Sequence, residues 1–117
     1  GTEPAPLVCS HCEDAPCLLV CPTHAISRTS QQAPVLLDQE LCLGCRACVM
    51  ACPFGMIQMR PNGATAMKCD FCHDLTARGE GPRCVAACPT GALELRELDD
   101  VIAAARQRAA ALLRERG

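Results

Sequence analysis

The run Cys42-Leu43-Gly44-Cys45-Arg46-Ala47-Cys48-Val49-Met50-Ala51-Cys52-Pro53 constrains this chain more than any other stretch of it. It reads C-x2-C-x2-C-x3-C-P. Three thiolates two residues apart can wrap one iron–sulfur cube in a tight loop. The fourth, three residues further on as a short helix begins, points away and ligates the other cube of a pair. Pro53, with its φ fixed and no N–H, helps turn the chain there. The spacing therefore predicts at least two [4Fe–4S] clusters and electron transfer.

A length of 117 residues allows one domain, or two small pseudo-repeats sharing a core. Hydrophobic residues make up 50% but aromatics only 2%, Phe54 and Phe71, so an apolar core of Ala, Val and Leu would be thin. The 12 cysteines say what fills it: bound cubes, with short segments wrapped around them, so that metal binding is part of folding. A secreted disulfide scaffold is the bland alternative. It fits poorly, because cysteines two residues apart cannot readily pair with each other and no secretory apolar segment precedes them. A reducing cytoplasm, or the cytoplasmic face of a membrane complex, is the expected setting for so many free thiols. Zinc ribbons use C-x2-C pairs rather than triplets followed by Cys-Pro. The net charge of −2 becomes more negative once thiolate-bound cubes are counted, which disfavours nucleic acid. No apolar run approaches the roughly 18 residues of a membrane span.

Taken in order, Gly1 to Leu7 reads as an extended leading segment. Cys9-Ser10-His11-Cys12-Glu13-Asp14-Ala15-Pro16-Cys17-Leu18-Leu19-Val20-Cys21-Pro22 is the central motif with two residues inserted before its third cysteine. Asp14 is the expected helix cap with Pro16 in the first turn, and Leu18, Leu19 and Val20 are expected to face inward. Ser27 to Gln32 reads as a loop and Val35 to Leu37 as a strand. Met56 to Met59, a turn at Pro61-Asn62-Gly63 and Thr65 to Lys68 predict a hairpin. Cys69-Asp70-Phe71-Cys72, a loop with Gly79, Gly81 and Pro82, and Cys84-Val85-Ala86-Ala87-Cys88-Pro89 form a third cysteine group. The phrase after each Cys-Pro recurs at Thr23-His24-Ala25-Ile26, Phe54-Gly55-Met56-Ile57 and Thr90-Gly91-Ala92-Leu93, the last leading into a strand through Leu95. This internal repeat predicts three units, each a cysteine loop, a short helix and a strand.

The tail is a helix capped by Asp99 or Asp100, with Val101, Ile102, Ala105, Ala109, Leu112 and Leu113 on one stripe. Arg106, Arg108, Arg114 and Arg116 hold the other side and the C-terminal end. It either packs back or stays solvated, or it docks a partner subunit. The expected boundaries are an iron–sulfur domain at 1–96, with a two-cluster core at 9–59 and the third cysteine group at 69–95, and the tail at 97–117.

The crossing rule assigns cluster one to Cys9, Cys12, Cys17 and Cys52, and cluster two to Cys42, Cys45, Cys48 and Cys21. The third group does not close. Cys69, Cys72 and Cys84 supply three ligands of a third cube, while Cys88 belongs to a fourth.

The phrases Cys12-Glu13-Asp14-Ala15-Pro16-Cys17, Gly44 to Gly55, Lys68-Cys69-Asp70 and Ala87 to Leu93 carry a resemblance spanning Pro6 to about Leu98. The chain resembles the polyferredoxin electron-transfer subunits of molybdenum and tungsten oxidoreductases, formate hydrogenlyase and carbon monoxide dehydrogenase. The resemblance implies an α+β, bacterial-ferredoxin-like fold and a role as an electron-carrying subunit that is not catalytic alone. It implies hetero-oligomers with a Mo/W-pterin enzyme, a hydrogenase or a carbon monoxide dehydrogenase type of partner. Such subunits carry four cysteine motifs and four [4Fe–4S] clusters, and this chain lacks the first motif. A piece missing its start is the expectation, given Gly1. The alternative is a self-contained third cluster on Cys69, Cys72, Cys84 and Cys88.

His11, His24 and His73 read as exposed loop residues, since cysteine serves all the cubes. Lys68, just before Cys69, could offer charge to a sulfur. Gly44, Ala47, Ala51, Gly55, Ala86 and Ala87 are small, letting backbone N–H groups approach the sulfurs and tune potentials. Met50, Met56, Met59 and Met67 read as core filler. No nucleophile, carboxylate pair or phosphate loop stands out. The rival readings are a free-standing soluble ferredoxin and, from another class, a zinc-stapled interaction module.

Overall fold

The computed structural model describes residues 7–116. The expected leading segment, apart from Leu7, lies outside the described residues. The elements in chain order are α1 (Pro16–Val20), β1 (Ile26–Ser27), β2 (Leu36–Leu37), α2 (Ala47–Ala51), β3 (Gln58–Met59), β4 (Ala66–Met67), α3 (His73–Ala77), α4 (Arg83–Ala87) and α5 (Leu98–Arg116). Small helices with short strands make this an α+β chain. It divides into two compact units, Gly1–Asp74 and Leu75–Gly117.

The first unit runs through one plan twice: short helix, Cys-Pro turn, two-stranded antiparallel ladder. β1 pairs with β2, Ile26 opposite Leu37, and β3 pairs with β4, Met59 opposite Ala66. The helices α1 and α2 pack against each other. Ile26 and Ile57 occupy the same place after Cys21 and Cys52, and both are buried, together with Ala15, Val35, Cys48 and Ala66. Cys12, Cys17, Cys21, Cys42 and Cys52 pack around this small cluster. The apolar core is as thin as the composition implies, and thiols make up much of its surround.

The Cys-Pro turn explains the recurring phrase. A proline disfavours helical backbone in the residue before it. Cys21, Cys52 and Cys88 accordingly cap their helices in extended conformation, at φ/ψ of −71/115, −69/113 and −71/111. The N–H groups of His24, Gly55 and Gly91 then fold back to the carbonyls of those cysteines, at 3.5, 3.3 and 3.4 Å. Closing the turn puts those three residues at φ of 55, 66 and 67. Glycine adopts this left-handed backbone freely, and His24 adopts it at a cost. The sequence signature Cys-Pro-x-[His/Gly] is thus a backbone requirement.

Gly44 has a second constraint. At φ +72, its missing Cβ would stand 2.4 Å from the Ala64 carbonyl oxygen. Only glycine lets the central cysteine loop lie against the β3–β4 turn this closely.

The expected hairpin forms, shortened to its central residues. Several other expectations fail for physical reasons. Ala15, not Asp14, is the N-cap of α1, without a side-chain cap, because burial of Ala15 fixes where the helix starts; Pro16 opens it as expected. Leu18 packs inward, whereas Leu19 is 74% and Val20 41% exposed. A five-residue helix turns too little to bury three consecutive side chains. Met50 is 80% exposed for the same reason, and Met67 points outward from β4, so neither fills the core; Met59 does pack against it. Ser27, expected to open a loop, instead joins Ile26 in the strand β1 that follows the first helix, because Leu36–Leu37 supplies a ladder partner from beyond the loop.

Before the expected glycine loop stands α3. It closes with Gly79 at φ 81 and the Glu80 N–H donating to the Leu75 carbonyl at 2.9 Å, a left-handed helix stop. In the second unit α4 forms, but residues 92–97 carry no regular element. The third strand is missing among the described residues because the chain passes directly into α5, with no returning strand to pair with. That helix starts at Leu98, so Asp99 and Asp100 sit inside its first turn rather than capping it, where their charge suits the dipole. Its apolar stripe is solvent-facing: Val101, Ile102, Leu112 and Leu113 are all exposed.

Candidate metal centres

Two solvent-open cavities in the first unit gather eight of the cysteines. One, of about 330 Å³, is lined by Cys21, Cys42, Cys45 and Cys48 together with Gly44 and Ile26. The other, of about 390 Å³, is lined by Cys9, Cys12, Cys17 and Cys52 together with His11, Phe54 and Lys68. Each helix splits its thiols between them. Cys17, at the start of α1, faces one cavity and Cys21, at its end, the other; Cys48 and Cys52 divide across α2 in the opposite sense. Each cavity is a shallow hollow whose space runs on into open solvent at its mouth. The four thiols stand around its wall, and no three Cys, His, Asp or Glu groups among the described residues meet at a point that could hold one ion.

The surroundings of the thiols act on the thiolate that ligation requires in two opposite ways. Those that open the helices, Cys17 and Cys48, are pushed up in pKa by burial. Those that end the helices sit in cages of backbone N–H groups. At Cys21 burial pushes the thiol up, but the N–H groups of Ile26, Thr23 and Ala25 and the Thr23 hydroxyl, 3.8 Å from Sγ, outweigh it and hold the pKa below the ordinary value. At Cys52 burial is likewise outweighed by the N–H groups of Met56, Phe54 and Gly55, with Met56 N–H 3.4 Å from Sγ. Ala66 N–H points at Cys42 Sγ at 3.4 Å. Such donors favour anionic sulfur, and they tune the potential of a bound cluster.

His11 departs from the exposed-loop expectation. Its ring is half-buried, takes a hydrogen bond from the Val35 N–H on Nδ1 at 3.0 Å, and meets Phe71 edge-on at 5.3 Å. Burial, reinforced by the charges of Lys68 and Arg28, lowers its pKa to about 4, so it is neutral at pH 7. With Nδ1 accepting, the proton sits on Nε2, which is buried and without a hydrogen-bond partner among the described residues. An orphaned donor on a residue that lines a thiol-walled cavity fits a sulfide-rich, anionic occupant, which supplies acceptors there. His24 is exposed, as expected, and His73 opens α3.

The residues present therefore fit [4Fe–4S] clusters. Such a group supplies reversible one-electron chemistry; the protein supplies thiolates and N–H donors.

The remaining cysteines follow the same local rules. In the first unit Cys69 Sγ accepts from Phe71 N–H at 3.4 Å, and the loop is tied by Cys72 N–H to Asp70 Oδ1 at 2.9 Å. The residue before the second cysteine is left-handed in the first C-x2-C of each cysteine group: His11 (φ 45), Gly44 (φ 72) and Phe71 (φ 59). In the second unit Cys84 lies near the start of α4 and Cys88 caps it. Cys88 has its pKa lowered to about 7, chiefly by the Thr90 hydroxyl, 3.6 Å away, with help from the Leu93 N–H. Cys69 and Cys84 are exposed.

Arg28 is a residue that sequence reasoning missed. Its guanidinium donates to the carbonyls of His11 (3.3 Å), Cys12 (2.5 Å) and Glu13 (3.4 Å), clamping the first cysteine loop from outside. Nothing in its polar surroundings singles it out in the sequence. Thr23 and Thr90 could have been found, since both follow Cys-Pro directly.

Residues 2–98 match the family description of a 4Fe-4S dicluster domain. The chain belongs to the 4Fe-4S dicluster family. It holds [4Fe–4S] clusters, at least two. It is 46% identical over 93 residues to the thiosulfate reductase electron transfer subunit PhsB of Salmonella typhi, covering 79% of this chain and 48% of that one. It is 41% identical over 93 residues to the B subunit of the anaerobic dimethyl sulfoxide reductase of Escherichia coli, covering 80% and 45%. It is 45% identical over 93 residues to the protein NrfC of Escherichia coli, covering 79% and 42%. This dicluster protein spans about half the length of the curated relatives it matches. No helix among its described residues is long and apolar enough to cross a membrane.

Proposed function

We propose that this chain relays single electrons through [4Fe–4S] clusters between a catalytic oxidoreductase subunit and a downstream acceptor. The observation that carries the reading is the pair of four-thiol cavities, each drawing its ligands from both halves of the first unit. Cluster one is held by Cys9, Cys12, Cys17 and Cys52, and cluster two by Cys42, Cys45, Cys48 and Cys21. Helices α1 and α2 each present a thiol to both sites, which puts the two centres close enough for direct electron exchange.

In this reading the third group repeats the pattern. Cys69, Cys72 and Cys84 serve a third cluster, and Cys88, on the far end of α4, serves a fourth whose other ligands come from a cysteine motif outside this sequence. The complete protein would then hold four bacterial-ferredoxin-like centres. The functional boundary falls near residue 96, where the last cysteine motif ends, and 97–117 forms an appended helix. The catalytic partner is of the Mo/W-pterin, hydrogenase or carbon monoxide dehydrogenase type, and two relatives named as reductase subunits support a catalytic partner of some kind. A cytoplasmic setting suits thiols that must stay reduced until metal arrives.

Anaerobic purification from the native cells tests this. The expected result is co-elution with a larger catalytic subunit, whose substrate reoxidises the chemically reduced clusters. Elution alone, with clusters indifferent to any co-eluting enzyme's substrate, would favour a free-standing ferredoxin.

A further inference from the structure

Lys68 has a placement that ligation by cysteine leaves unexplained. It follows β4 and precedes Cys69, yet its half-buried side chain reaches across to the residue before β2. Its Nζ donates to the Val35 carbonyl at 2.5 Å and to the Cys69 carbonyl at 2.6 Å. The same residue forms part of the wall of the cavity lined by Cys9, Cys12, Cys17 and Cys52. Both acceptors are neutral, and among the described residues no carboxylate pairs with this ammonium, so its charge is held in place without being cancelled.

The other cations near the cavities differ. Arg28 turns its guanidinium to the backbone carbonyls of the first loop and is not part of the cavity wall. Arg46 borders the cavity of Cys21, Cys42, Cys45 and Cys48 but is exposed, where water and salt screen it.

A cube with four thiolates carries a charge of about −2, and one more electron makes it about −3. A fixed cation at the wall favours the more negative state. We propose that Lys68 is a potential-setting residue, whose carbonyl-pinned ammonium raises the reduction potential of the centre held by Cys9, Cys12, Cys17 and Cys52. This rests on the cluster assignment above. The step it biases is a one-electron reduction: one electron arrives from the relay's donor, no bond forms or breaks, and the ammonium keeps its proton. Because Lys68 also holds the Cys69 carbonyl, the same contact ties the loop of the third cysteine group to this centre and makes it a resting place for electrons within the first unit.

The test is an EPR-monitored potentiometric titration of the anaerobically prepared full chain, alongside Lys68→Gln, Lys68→Met and Lys68→Arg, with iron and sulfide counted in each. In Lys68→Gln and Lys68→Met, with metal content unchanged, one centre is expected to become harder to reduce. Its oxidised-to-reduced ratio at fixed poise should rise about tenfold, a fall of about 59 mV, while the other centre stays put. Lys68→Arg should restore the original value. Unchanged potentials, equal shifts of both centres, or a Lys68→Arg shift matching that of Lys68→Gln would overturn the proposal. So would loss of metal in both neutral variants, since the lysine would then be part of the scaffold. Wild-type protein lacking two sulfide-containing centres would instead defeat the cluster assignment itself.

Discussion

Cys21→Ala is expected to damage the cluster of the following motif and spare that of its own. Cys21 sits beside Cys17 in sequence, but it lines the cavity of Cys42, Cys45 and Cys48. Losing this thiolate leaves that centre with three protein ligands, while Cys9, Cys12, Cys17 and Cys52 remain a full set. The purified variant should lose about one to four irons, with matching changes confined to one centre. The decisive comparison is spectroscopic. The reduced EPR spectrum of Cys21→Ala should match that of Cys42→Ala and differ from that of Cys9→Ala. A match to Cys9→Ala would mean that each motif keeps all four of its own cysteines, contrary to the crossing across α1 and α2.

Removing the metal is expected to unfold the first unit. Among its described residues few are buried, and of the larger side chains only Ile26 and Val35 are fully enclosed. Its helices have five residues each, far below the roughly 12–15 at which isolated helices become marginally stable. Its ladders are two residues long, and a lone two-stranded ladder is marginal at best. Metal binding in small metal-folded domains contributes on the order of 10 kcal/mol. After iron is chelated under reducing conditions, the cooperative melting transition of the first unit should disappear. Far-UV helical signal should fall without vanishing, because α5, 19 residues long and rich in alanine, has enough length and propensity to persist in part. A melting curve that iron removal leaves unchanged would show that apolar packing carries the fold.

The cysteine framework was legible because its chemistry fixes spacing. Three thiolates around one cube, and a fourth thrown to the neighbour by a helical turn and a proline, leave little freedom in the residues between. The β3–β4 hairpin was legible for a local reason as well, since Pro61-Asn62-Gly63 forces a turn between two short apolar runs. What the sequence hid depends on partners distant in the chain. β1, expected from the repeat, takes in Ser27 as well because Leu36–Leu37 comes back to pair with Ile26–Ser27. No strand follows Leu93 because the chain goes on into α5 and supplies nothing to pair with. Leu19 and Met50 are apolar yet exposed, because a helix of five residues between two cavity-lining cysteines has only one face to bury. Both occupy the same position in their repeats. His11 reads as a polar loop residue until Val35 and Phe71 close around it, and Arg28 reads as solvated until three carbonyls of the first cysteine loop turn toward it.

The most direct test of the account counts iron and acid-labile sulfide per chain in anaerobically prepared protein, with the EPR spectrum of its reduced form. At least about eight of each, with signals from two interacting centres, is the expected result. About twelve would add a third centre on Cys69, Cys72, Cys84 and Cys88 within this chain, and about eight would leave that group waiting for a further motif. Zinc without sulfide, in a colourless protein, would contradict the account at its root.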